Sequence, residues 1–126
     1  MRRAISLICI RDKSLLIVCD DDRVTWTVPG GKPELGETDI ECLQREAAEE
    51  LSGVVVSDIQ FYQRFEGISP HKGDRIEVNC YFGRIDVHPV PSSEITAIAW
   101  EKDFSGKKIS DVTQKIIDAL RHDGLI

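Results

Sequence analysis

Three glutamates, Glu46, Glu49 and Glu50, stand at i, i+3 and i+4 in the segment Arg45-Glu46-Ala47-Ala48-Glu49-Glu50. At about 100° per residue this spacing gathers them on roughly one third of a helix surface, beside its apolar face. Like charges so placed repel by a few tenths of a kcal/mol per pair. A hard divalent cation would turn the repulsion into attraction, because Mg²⁺ takes carboxylate oxygens and keeps positions open for phosphate and water. Taken alone, a run of glutamates is usually a solvated helix face. These three have company. Pro29-Gly30-Gly31 lies upstream, a turn whose carbonyls can approach an ion because glycine has no shielding side chain. Lys32 follows the glycines, Glu37 precedes the helix, and Arg45 is within reach of Glu49 and can orient it. The bland readings are an ordinary tight turn for the glycines and, for Glu37, an acid favoured near a helix N-terminus.

The elements that must hold these groups can be read from pattern. Thr38 followed by Glu41 is a capping box, which starts the helix at about Asp39. Ile40, Leu43, Ala47 and Leu51 recur at helical spacing on one face, and Ser52-Gly53 supplies the stop. Upstream, Ala4 to Ile10 and Ser14 to Cys19 read as two strands of a hairpin turned by Arg11-Asp12-Lys13. A polar turn over Cys19 to Arg23 leads to a short strand, Val24 to Val28, that contains Trp26. Downstream, Val54 to Phe65 and Arg75 to Ile85 are rich in branched and aromatic residues and flank a loop from Glu66 to Asp74. Glu94 to Trp100 alternates as another strand, and Ser110 caps a last helix that buries Val112, Ile116, Ile117 and Leu120. Strands, helix, strands, helix, with few βαβ units, predicts a layered α/β (α+β) fold on a mixed sheet.

Composition narrows the function. The chain has 126 residues, 41% hydrophobic and 30% charged, which fits one globular domain over 1–126. No apolar run approaches the roughly 20 residues of a membrane helix, so no membrane partner is expected. The apolar start, Ala4 to Ile10, reads as a first strand and not as a signal peptide. Sixteen Lys and Arg against 22 Asp and Glu give a net charge of −6. That balance disfavours a nucleic-acid polymer bound by phosphate neutralisation. One small phosphorylated molecule is compatible, if cations stand between its phosphates and the carboxylates. Cys9, Cys19, Cys42 and Cys80 are scattered with no C-x-x-C pair, which points to buried free thiols and a reducing, cytoplasmic location.

Gly31, five residues, Glu37, seven residues and then Arg45-Glu46-Ala47-Ala48-Glu49-Glu50 resembles the Nudix box, G-x5-E-x7-R-E-U-x-E-E-x-G-U with U apolar. Its six fixed residues through Glu50 all match, which chance gives roughly once in ten million starting points at about one in fifteen per position. Trp26-Thr27-Val28-Pro29-Gly30 also resembles the family's approach to the box. The closing glycine departs from it, arriving one residue late at Gly53, which predicts a helix running one residue longer.

The resemblance implies a Nudix-like α/β/α sandwich of the compact MutT type. It also implies hydrolysis of a nucleoside diphosphate linked to a further group X. Carried over residue by residue, Glu46, Glu49 and Glu50 would hold Mg²⁺ (or Mn²⁺) with the Gly30 carbonyl; Arg45 would orient a glutamate, and Glu37 would act behind the ligands or through water. The general base moves within the family, so Glu46, Glu77 and Glu94 are candidates in that order, the last two being equally readable as surface residues. For the nucleotide, Lys32 is a phosphate contact, and Trp26, Phe65 and Tyr81 are stacking candidates, although strand aromatics are more often core. His71 and Lys72 in the following loop could reach a phosphate, and Pro70 keeps ADP-ribose open beside a (deoxy)nucleoside triphosphate. A non-catalytic nucleotide-binding module would be expected to have lost box carboxylates, and these are intact. A homodimer is left open.

Overall fold

A computed structural model describes residues 1–20, 24–70 and 72–126, so the turn expected over 21–23 and the His71 contact lie outside the described residues. Among those residues the chain forms β1 (Arg2–Ile8), β2 (Ile10–Arg11), β3 (Ser14–Asp20), β4 (Thr25–Thr27), β5 (Gly30–Gly31), α1 (Asp39–Glu50), β6 (Ser57–Ile68), β7 (Arg75–Arg84), β8 (Ile95–Glu101), β9 (Lys108–Ile109) and α2 (Asp111–His122). The expected mixed α+β architecture is present, built on two mixed sheets. One runs β5-β1-β7-β6, with β1 parallel to β7 and the other pairs antiparallel. The other runs β2-β3-β4-β9, with β8 also paired to β3.

The first hairpin is split. Ile10 and Arg11 pair with Leu15 and Ser14 through a turn at Asp12 and Lys13, whose φ of 52° and 61° match the strand twist. The residues before Cys9 leave this hairpin and join the other sheet, where Ala4 faces Val78. The chain breaks there because β1 is buried on both faces, with Ile5, Leu7 and Ile8 at most 1% exposed, and needs neighbours that β3 alone cannot give.

Packing follows from which faces are apolar. Ile5, Leu7, Leu16, Val18 and Ile85 pack with Leu43, Ala47 and Leu51 of the α1 region. Ile8, Leu15, Ile17 and Val78 pack with Ile116, Ile117 and Leu120 of α2. The sheets therefore lie between two helices. Both helices begin as the capping residues predict, with Thr38 and Glu41 exchanging reciprocal bonds and Ser110 accepting from Thr113. The buried face of α1 differs from the expected one. Ile40 is exposed, and Glu50 joins Cys42, Leu43 and Ala47 on the buried side. Residues 43, 47 and 50 form a continuous helical stripe, so the packed face carries a carboxylate.

The late glycine does not lengthen α1, which ends at Glu50. Ser52 itself takes a left-handed conformation, at φ 61°. Its cost is offset by hydrogen bonds: the Ser52 amide donates to Ser92 Oγ (2.9 Å) and its hydroxyl to the Val90 carbonyl (2.8 Å). The four cysteines are free and buried, and no described helix is long and apolar enough to cross a membrane.

Ile117 is fully buried between α2 and the sheets. Ile117→Ala is expected to cost about 2–5 kcal/mol, read as a lower urea midpoint with an unchanged slope.

Candidate active site

A cleft of about 360 Å³ opens between the sheets and the first turn of α2. One part of it is lined by Gly30, Gly31, Lys32, Glu46, Glu50 and Glu94, and its walls include Ala4, Val28, Ile76, Val78 and Val112. Glu50 is only 6% exposed, and its Oε1 accepts the Gly30 amide at 3.0 Å. Burial is the main force on this carboxyl, pushing it up to about 8 against the Gly30 hydrogen bond, with the charges of Glu46, Glu94 and Glu49 adding to the rise. Burial also pushes Glu46 up, opposed by its bond to Arg45.

Close approach requires Gly30, and Gly31 leaves room for the end of the Glu46 side chain. A Cβ on Gly30, at φ 151°, would lie 2.1 Å from the Ile5 carbonyl oxygen. A Cβ on Gly31 would lie 2.3–2.6 Å from the Glu46 carboxylate. The turn is thus an empty shelf on which the α1 carboxylates rest.

Arg45 is the hub of the helix surface. Its Nε and Nη2 grip Glu37 at 2.7 and 2.9 Å, while Nη1 donates to Glu46 at 2.9 Å and to Glu49 at 3.4 Å. Nη2 also donates to the Lys32 carbonyl at 3.1 Å, and Nε lies 2.9 Å from Glu34. The fork on Glu37, aided by the Glu34 amide, holds that carboxyl down at about 2. Sequence reasoning gave Arg45 to Glu49. The dominant partner is Glu37, brought back by the loop before the helix.

The cleft brings together Gly30, Lys32, Glu46 and Glu50, together with Glu94 and Pro70. Glu49 is half exposed beside Arg45 and does not line it. Glu77 stands outside, 4.0 Å from Arg3 and 3.7 Å from Arg64. The aromatics expected to stack a base are also elsewhere. Trp26 pairs with Ile109 under the Lys107 ammonium and packs on the α2-side core. Phe65 packs in that core against Tyr62. Tyr81 spends its hydroxyl on Asp39 at 2.6 Å and meets Phe61 edge-on. All three rings are partly buried against the core clusters. Lys72 is exposed and off the cleft. Arg2 and Arg3, not singled out from sequence, do line it, where Arg2 pairs with Asp74 and Arg3 with Asp39. Their adjacency at the start of a strand was the only sequence signal.

The donor set fits a hard divalent cation. Two carboxylates share one end of the cleft, one of them buried beside like charge, and a cation would relieve that repulsion. Among the described residues, no three such side chains already surround one point. Glu46 and Glu49 are turned toward Arg45 and Glu50 toward Gly30, so a three-glutamate ligand set requires Glu46 and Glu49 to rotate away from the guanidinium.

Because Glu37 is held below its ordinary value of 4.5, its pairing adds stability above that range, and this is lost as pH falls through about 2. Glu37→Gln is expected to lower Tm by a few degrees at neutral pH. Thermal melts should show the gap to the parent closing between about pH 4.5 and about pH 2.

Solved structures share this architecture. A MutT NUDIX hydrolase from Burkholderia pseudomallei aligns with TM-score 0.80 at 18% identity, over 93% of this chain and 95% of that one. A MutT protein from Methanosarcina mazei aligns with TM-score 0.78 at 16% identity, over 98% and 94%. A UDP-X diphosphatase aligns with TM-score 0.79 at 14% identity, over 98% of this chain and 63% of that one. At such identities the likeness is one of fold. A search of curated proteins finds no match. The family model described as NUDIX domain matches residues 1–111, a span that holds the glycine shelf, the Arg45 hub and every box glutamate. The chain therefore belongs to the Nudix family, hydrolases of pyrophosphate bonds in small nucleotide molecules that generally need divalent metal ions.

Proposed function

We propose that this chain, acting as one domain over 1–126, hydrolyses a (deoxy)nucleoside triphosphate to the monophosphate and pyrophosphate. The observation that carries the reading is that Glu46, Glu50 and Lys32 line one cleft of about 360 Å³, a volume suited to one small ligand. Glu46, Glu49 and Glu50, with Gly30, would hold Mg²⁺ or Mn²⁺. Such an ion supplies Lewis-acid polarisation of phosphoryl oxygens and makes an attacking water more acidic.

The chain's own groups do the rest. Lys32 meets phosphate charge, and Arg45 holds Glu46 until substrate arrives. Water adds to phosphorus, the bridging P–O bond breaks, and a carboxylate takes the water's proton. Glu46 and Glu94 are the candidates for that base, since both line the cleft and Glu77 is engaged by arginines outside it. The free cysteines fit a reducing compartment, and we assign the protein to the cytoplasm.

ADP-ribose is a second reading, favoured by Pro70 in the cleft wall. A panel of common triphosphates, an oxidised purine triphosphate and ADP-ribose, assayed with Mg²⁺, tests the choice. The expected result is a kcat/KM at least about tenfold higher for a triphosphate, with pyrophosphate and not orthophosphate as the released product. A preference for ADP-ribose, giving AMP and ribose phosphate, would overturn the triphosphate reading.

A further inference from the structure

Helix α2 lies along β6 and is pinned to it at both ends. At its first residue, Asp111 Oδ2 accepts the Ile68 amide at 2.9 Å. One turn on, Lys115 donates to the Glu66 carbonyl at 2.7 Å and stands 3.6 Å from Asp111. At the far end, Asp123 accepts the Tyr62 hydroxyl at 2.5 Å. The spans agree: the strand between Tyr62 and Ile68 is about 20 Å long and the helix between Asp111 and Asp123 about 18 Å.

Only the first pin borders the cleft. Ser110, Val112 and Thr113 line it from α2, and Ser69 and Pro70 line it from the residues just after β6. Contact between the two walls is tight. A Cβ on Gly67 would come 2.4 Å from Asp111 Oδ2 and 2.8 Å from Val112 Cγ2. Among the described residues β6 is the edge of its sheet, with no strand on its outer side, and the Asp111–Lys115 pair supplies what a strand would. Both side chains of that pair are nearly half exposed, so their mutual attraction adds little stability. What they add is a fixed distance.

We propose that Asp111, seated against Gly67, is a positioning residue that sets the width of the cleft between the first turn of α2 and the end of β6, and so governs how tightly the substrate is gripped. The inference rests on the cleft being the substrate site. Steady-state kinetics well below Tm on Asp111→Ala, Asp111→Asn, Tyr62→Phe and Ala4→Trp test it. In Asp111→Ala, KM should rise about tenfold with kcat within about twofold. Asp111→Asn, which keeps an oxygen to accept the Ile68 amide, should recover most of the loss. Tyr62→Phe breaks the distant pin, and should lower Tm while leaving KM unchanged. An unchanged KM in Asp111→Ala, or an equal rise in Tyr62→Phe, would overturn the proposal. Ala4→Trp fills the cleft; a normal KM there would remove the cleft reading and this inference with it, whereas a normal KM in Asp111→Ala alone removes only the pin.

Discussion

Burying the Glu50 carboxylate at the end of a helix that already carries Glu46 and Glu49 is the costly act around which this chain is arranged. An ion withdrawn from water costs several kcal/mol unless it is bonded and paired, which is why this carboxyl is pushed up to about 8. Here the Gly30 amide provides one bond, and Arg45 draws Glu46 and Glu49 toward itself and away from Glu50. The same turn dictates Gly30, because a side chain there would strike the Ile5 carbonyl. A carboxyl that burial and neighbouring acids keep from ionising is one that a divalent cation would relieve.

Holding such a site steady falls to the ends of the helices. At the start of α1, Asp39 accepts from Tyr81, Asn79 and Arg3, which ties the helix to β1 and β7. At its end, Ser92 donates its hydroxyl to the Glu49 carbonyl and its amide to the Glu50 carbonyl, while Ser52 bonds back to the same loop. α2 is tied at both ends as well, so both helices that flank the sheets are held by polar contacts over hydrophobic faces. Groups fixed in this way need little reordering when a ligand enters.

Much of this was legible in the sequence, and the remainder was hidden for physical reasons. The capping box of α1, the Ser110 cap of α2 and the apolar spacing mark both helices, and the box spacing marks the carboxylates. The break at Cys9 is invisible in the sequence because the residues on either side of it share one alternating apolar pattern, and only pairing with distant β7 separates them. Ile40 and Glu50 exchanged their expected exposures because the apolar stripe of α1 is narrow, and Leu43 and Ala47 decide its centre. The fork between Arg45 and Glu37 spans a loop whose path no periodicity reports. Trp26, Phe65 and Tyr81 are chemically able to stack a base, and nothing local tells a stacking ring from a core ring until the sheets are assembled.

The central claim, that the Glu46 and Glu50 end of the cleft is built for a divalent cation, is tested most directly by thermal melts of the parent chain and Glu50→Gln with and without Mg²⁺. A ligand that binds only the folded state raises Tm, so the parent should gain stability on adding the ion. Glu50→Gln removes the group whose ionisation burial opposes while keeping an oxygen for the Gly30 amide. It should therefore melt higher than the parent without metal and lose most of the response to Mg²⁺. A variant that melts lower without metal and still gains the parent's full increment would contradict the account.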